Sequence, residues 1–564
     1  ASVAAGFAGG TGVGVSGAGA SAMNIILADT RAALSDAEIR ADDDVVVEAT
    51  ASSRIDATII AASIGVGAGS ASGFGASVGV SIARNYIGYN PYALPQSKAV
   101  TYTQGQDTPT RFVTGDVVRL SATAGARANE TYEYIGREPI MPKDANKDGK
   151  LDDLFLAQDF SNTEQWKQVV DTSANVIQAV VDQSSVLASN NANRTLDLRI
   201  HAQNQQSIQS WVLAGSAAAS VGGLVGGAVS GAGASAVNLV NSDVLAILSR
   251  TTGIGVNVDG DIGLAADNVA IIRSSVQAVS VAAAFGASAG AVSLGVSTAH
   301  NAIDGKVGAS MDRVLVETSG GAVTIDATDR PSIESKSTAV AVAIAGGLGF
   351  SFAGGGAVSL NEIGSSVSAS IDRSGDLPVS GSATGLTEVR AEDGITVNAL
   401  ATPWLRAKVE AAAASFGLIA AAAAGTVSVN RISPSVRAYA SKSSLNVEPG
   451  DGAVTFSARA QQDAYARSDA LSISSGAAMG MASVSTTDNS QVESGLRADV
   501  RVQAPTLTIR AEGTDQIFQQ STASSGGLFA GVAGAYSRVS IGGDTHAVLG
   551  DRSTIVVDTL NVST

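Results

Sequence analysis

Hydrophobic and small polar residues alternate along most of this chain with a period of two. In the tract TAVAVAIAGGLGFSFAGGGAVSLNEI, Val340, Val342 and Ile344 alternate with Ala339, Ala341 and Ala343, and further on Val367, Ala369 and Ile371 alternate with serines. Successive side chains of a strand point to opposite faces, so this spacing predicts several short strands per unit, separated by Gly, Asp and Ser turns. The pattern recurs. Small-residue tracts close on Asn24, Asn85, Asn238, Asn301, Asn361 and Asn430, at spacings of 61, 63, 60 and 69 apart from one gap of 153. That gap predicts an insertion, and two weaker units near SVSTTDNS and SRVSIGGDTH bring the array to about eight repeats. Even the wording is shared: SGAGASAMN starts at Ser16 and SGAGASAVN at Ser230.

Strands recurring at a fixed period of about 60 residues, without Asn-Gly hairpin turns, point to an all-β fold, a parallel β-solenoid (β-helix) in which each repeat pairs with its neighbours. In such a stack an asparagine at the same place in successive coils can bond its amide to the coils above and below. The SGAGASA strand carries Ala and Ser on one face and Gly and Ala on the other, which predicts burial on both sides. A buried methyl contributes only about 0.8 kcal/mol, so the gain expected from such a composition is a close approach of sheets. The uncharged 19-residue window Ala411–Val429 is long enough for a membrane helix. Its poverty in Leu, Ile and Phe, the alternation of its counterparts and the lack of a Lys/Arg loop asymmetry argue for strand, so no membrane span is expected.

Between Tyr86 and Asp171 the texture changes: six of the nine tyrosines, five of the eleven prolines and Trp166 fall there. The organisation expected is solenoid over 1–85, an aromatic-rich β module over 86–171, and solenoid over 172–564. Alternation in RFVTGDVVRLSA and ETYEYIG supplies the strands of the module. Its motifs are Gly115, Asp116 and Val118, then Tyr132, Tyr134 and Gly136, then Asp159, Phe160, Ser161, Thr163, Trp166 and Lys167. Together with the flanking SIARNYIG and the small-residue repeats, they resemble the giant Ala/Gly-rich adhesin-like β-strand-repeat proteins of bacterial surfaces. The resemblance implies extracellular display, a structural or adhesive role, and no catalytic residue.

Unlike the usual form of that module, this copy carries DANKDGKLDD. Asp144, Asn146 and Asp148 stand at positions 1, 3 and 5, Gly149 at 6, and the Lys150 carbonyl at 7, which is the oxygen spacing of an EF-hand-type calcium loop. Position 12 is Phe155 rather than a bidentate Glu, and Asp152 and Asp153, at 9 and 10, stand as its replacements. Calcium is the expected cofactor; the competing reading is a solvated Asp/Asn-rich turn.

Composition narrows the chemistry. The net charge is −16 and no Lys/Arg run is dense enough to follow a phosphate backbone, which argues against nucleic acid. Cysteine is absent, so thiolate metal sites and thiol nucleophiles are excluded. With 4% aromatics and 63 glycines, the core is expected to be thin layers of small side chains. Gly12, Gly14 and Gly17 satisfy a dinucleotide fingerprint but read as repeat glycine, and His201, His300 and His546 are far apart in sequence. Asp42, Asp43 and Asp44, with Asp259 and Asp261, are the strongest argument for a polysaccharide-degrading β-helix enzyme, yet read as solvated turns between coils. Neither end reads as a polar cap, which predicts continuation into further repeats or another subunit, with self-association end to end or laterally. The function expected is an extracellular structural or adhesive fibre and not an enzyme; the alternative is a protein that binds surface glycans or other cells through its aromatic insertion.

Overall fold

The structure is a computed structural model that describes residues 1–91, 101–104, 109, 111–113, 116–120, 131–134, 140–141, 155, 158, 165–168, 175–188, 195–373, 379, 382, 385–448 and 452–564. It divides into two compact units, Ala1–Ile87 with Asn175–Thr564, and Gly88–Ala174.

The larger unit is a parallel β-solenoid. One coil runs through Leu198–Gly222, turns tightly, returns through Val225–Ser249, and closes with the short strand Val256–Val258. The next repeats this course as Ile262–Phe285, Ser288–Asp312 and Leu315–Thr318. The expectation of several short strands per unit is therefore corrected: two long strands, 25 residues each in this coil, dominate it. Interior Gly and Ser do not break them because both edges are paired. Leu198–Val221 is in parallel register with Val45–Ala68 on one side and Ile262–Phe285 on the other. Among the described residues, the long strands assemble into two extended sheets that face each other.

The insertion interrupts the second sheet at one point. Val240 pairs with Ile87 and Ser242 with Asn175, so the strand leaves at Ile87 and resumes in register at Asn175, with only Asn241 between the partner positions.

In cross-section the coil is a wedge. At the wide base, the inward residues of both sheets and of the short strands are mainly Val, Ile and Leu, among them Val47, Ile177, Val186, Leu198, Val244 and Val256, with alanines such as Ala49, Ala179 and Ala202 between them. Toward the tight turn they become alanines such as Ala218, Ala282, Ala341 and Ala413. Large side chains hold the sheets apart at the base, and small ones let them converge at the apex. A Cβ on Gly67 would run into the carbonyl of Phe74 on the opposite sheet, and one on Gly14 into that of Val66. The close approach expected from the small-residue composition exists there. Burial of SGAGASA on both faces does not: Ser230, Ala232, Ala234 and Ala236 are buried, whereas Gly231, Gly233 and Ser235 lie on the partly exposed outer side. A two-sheet solenoid gives each strand only one facing sheet.

Where the second sheet meets the short side, the chain repeatedly turns through a left-handed residue that is not glycine: Asp36, Gln183, Arg250, Arg313 and Lys442, at φ between 45° and 55°. This conformation costs a non-glycine residue about 1 to 2 kcal/mol. Pairing with the next coil offsets it, since the Arg250 N–H donates to the Asp312 carbonyl at 2.9 Å and the Arg313 N–H to that of Asp372 at 3.1 Å.

The smaller unit holds a four-stranded sheet among its described residues, Tyr102–Thr103, Val117–Arg119, Thr131–Tyr134 and Trp166–Gln168. Its core gathers Phe112, Val118, Leu120, Tyr132, Tyr134, Phe155 and Trp166.

Candidate functional site

The repeating asparagines form a continuous ladder inside the second sheet. Asn24 donates to Asn85 at 2.8 Å, Asn85 to Asn238 at 2.8 Å, Asn238 to Asn301 at 2.8 Å, Asn301 to Asn361 at 2.9 Å and Asn361 to Asn430 at 2.9 Å. Each inner rung uses its Nδ2 toward one coil and its Oδ1 toward the other, as read from the sequence. These residues hold the coils in register and offer no free chemistry.

A second ladder, on the first sheet, was not read from the sequence. Asn204 donates to Asn268 at 2.9 Å, and Asn268 to the carboxylate of Asp329 at 2.8 Å. Asp329 is fully buried; burial pushes its carboxyl above the ordinary range, while the hydrogen bond from Asn268 pulls the other way. The signal missed is that residues 64 and 61 apart here are Asn, Asn and Asp, a series that changes residue type midway.

The carboxylates considered for catalysis serve as turn caps. Asp44 Oδ1 accepts from the Asp197 N–H at 3.3 Å, Asp197 Oδ1 from the Asp261 N–H at 2.9 Å, and Asp261 Oδ1 from the Ala322 N–H at 2.9 Å. Asp259 accepts from the Leu196 N–H at 2.7 Å, Asp43 accepts from the Asp44 N–H at 3.1 Å, and Asp42 is exposed on the same bend. Asp197 could have been found, because it precedes the long strand at Leu198 as Asp44 precedes Val45 and Asp261 precedes Ile262.

Two other groups stand out electrostatically. His201, on the outer face of the first sheet, lies 3.3 Å from Asp267 and 3.6 Å from Glu48. The hydrogen bond to Asp267, against partial burial, raises the imidazole above its ordinary value. Asp488 is buried between the sheets at the far end of the array from Asn24. Burial first, and repulsion from Asp515 second, push its carboxyl from 3.8 to about 6. The Gln462 amide, turned so that its nitrogen faces Asp488, donates to it at 2.6 Å and accepts from Ser490 at 2.8 Å.

In the smaller unit the aromatic motif residues are core. Trp166 is 2% exposed, with its ring 5.4 Å from Phe112 and 5.1 Å from Tyr134. Asp116 of the Gly-Asp pair accepts from the Val113 N–H at 2.7 Å and so fixes a turn before the strand. Trp166, Tyr132 and Tyr134 thus hold the module together from its core. The expected calcium ligands Asp144, Asn146, Asp148, Lys150, Asp152 and Asp153 lie outside the described residues. Among the described residues no cluster of three or more His, Asp or Glu is placed to hold a metal ion. Comparison of the chain with protein-family models, with curated proteins and with solved structures finds no match.

Proposed function

We propose that the chain is a section of an extracellular structural or adhesive repeat protein, part of a bacterial cell-surface fibre, filament or giant adhesin. The observation that carries this reading is in-register parallel pairing of coil on coil, from the strand at Ser2 to the strand ending at Ser563, with a polar ladder inside it. Such a stack lengthens by about 4.8 Å for every coil added and resists lateral shear through its ladders. Asp44, Asp197 and Asp261 supply turn caps to it, each accepting from a backbone N–H of the next coil.

The experiment is immunogold labelling of intact cells that produce the protein, with antibody raised against this chain, paired with attachment assays on cells lacking it. Label along surface appendages and reduced attachment are expected. Label only after the cells are permeabilised would overturn the reading.

A further inference from the structure

The apex of the wedge is free of charge on the outside as well as the inside. On the second sheet, the outward rows that stack through Val13, Val15, Gly17, Gly19 and Ser21 contain no charged residue in any coil they cross; the first charges come in the Met23 row, at Arg84 and Arg538. On the first sheet the four rows that stack through Ala62, Ile64, Val66 and Ala68 are likewise uncharged. The tight turns between the sheets carry Leu224, Leu348, Leu418 and Leu528, at 65%, 76%, 59% and 76% exposure.

We propose that this apex is a blade that embeds in a lipid membrane, with hydrocarbon chains as its partner. A protein docked on one face would leave the other face and the tip in water; a medium that surrounds the blade covers all three. Its depth fits. Counted from the turn, the uncharged stretch on the first sheet is eight residues at Ala62–Gly69, narrowing to six at Ala411–Phe416 and five at Ala470–Ser474, and on the second sheet it is twelve at Thr11–Ala22, roughly 17 to 40 Å at about 3.3 Å per residue, against about 30 Å for a bilayer core. The border also fits. One outward row of the first sheet stacks Trp211, Ser275, Lys336, Lys408 and Arg467, and aromatic and basic side chains are those favoured at headgroup level. Glu410 and Asp469, one row nearer the tip, are neutralised by Lys408 at 2.7 Å and Arg467 at 2.5 Å.

Hydrocarbon tolerates only backbone whose polar groups are satisfied. In every coil flanked by two others, the strands of the blade are paired along both edges. The second sheet further provides an apolar groove of about 470 Å³ at the apex, where Phe74 and Phe350 wall a floor of Gly227 and Gly290 and Leu348 closes the tip side. It is of a size to seat an acyl chain. Among the described residues no helix is long and apolar enough to cross a membrane, so attachment by this edge would be distinct from a helical span.

The test floats the full chain through a density gradient with phosphatidylcholine vesicles, which carry no net charge. The wild type is expected to float. A variant combining Leu224→Glu, Leu348→Glu and Leu418→Glu is expected to lose vesicle binding by about tenfold or more. These side chains are exposed, so its thermal melt should match the wild type. A control with Thr50→Glu, Gln203→Glu and Gln461→Glu, which adds the same charge to exposed positions toward the base, should float like the wild type. Failure of the wild type to float would overturn the proposal, as would flotation of the apex variant at wild-type level. So would sedimentation showing a dimer that the apex glutamates dissolve while nothing floats, which would assign the edge to a second copy of the chain.

Discussion

Ser216 on the first sheet and Ser230 on the second share a hydrogen bond of 2.7 Å across the interior of the wedge. Ser2 with Ser16 at 2.9 Å, Ser63 with Ser77 at 2.6 Å, Ser280 with Ser293 at 2.9 Å and Ser351 with Ser415 at 2.8 Å do the same elsewhere along the stack. The repeated SGAGASA phrase thus opens on a serine that bridges two sheets. Its small companions bring the sheets close enough for a hydroxyl pair to span them.

That bridge predicts an asymmetric mutational cycle. Ser216→Ala alone leaves the buried Ser230 hydroxyl short of its partner and should cost about 1 to 3 kcal/mol, whereas Ser216→Ala with Ser230→Ala should cost less than the sum of the two singles. Denaturant titration of the four proteins measures it. Strict additivity would show that the pair does not interact.

The asparagine ladder should be costliest to break in its middle. Asn301→Ala removes the acceptor of Asn238 and a donor to Asn361, both buried, and is expected to destabilise by about 2 to 4 kcal/mol. Asn24→Ala removes one bond at a half-buried rung and should cost less. Equal shifts in melting temperature would contradict a cooperative ladder.

Which face of a small-residue strand is interior can be tested by bulk. Ala341 is fully buried in the alanine layer, so Ala341→Leu overpacks it and should cost about 1 to 3 kcal/mol or more. Gly356 points outward, and a Cβ added there meets nothing within 4 Å, so Gly356→Leu should be nearly neutral. Equal losses in the two variants would mean that both faces are enclosed.

Stability should fall as pH rises past the range of Asp488. Its folded carboxyl titrates near 6 against an ordinary 3.8, so between those values the folded chain keeps a proton that the unfolded chain releases. The stabilisation is complete below about pH 4 and is lost as pH climbs through 6. Asp488→Asn, which cannot ionise, should flatten this part of the profile in melts taken from pH 4 to pH 7. An unchanged slope would place the pH dependence elsewhere.

Calcium at Asp144, Asn146, Asp148, Lys150, Asp152 and Asp153 is proposed from ligand spacing. Because residues 88–174 form a compact unit of their own, chelation should speed proteolysis within it while the β signal of the solenoid persists. Identical digests with and without chelator would remove calcium from the account.

Period and pairing partners were legible in the chain, because a solenoid repeats its residues wherever it repeats its geometry. Asn85, Asn238 and Asn301 can be aligned by eye, and they stack in space. Strand length was not legible: Gly and Ser look like turns in a single strand, and only pairing on both edges carries 25 residues such as Leu198–Gly222 through them. Nor could alternation say which face lies inside when both faces are Gly, Ala and Ser, since burial there follows from where the opposite sheet sits and not from hydrophobicity. The roles of Asp44 and Asp261 were decided the same way. A carboxylate on a turn looks alike whether it awaits a substrate or caps the next coil, and the backbone N–H groups of Asp197 and Ala322 reach it only once the coils are stacked.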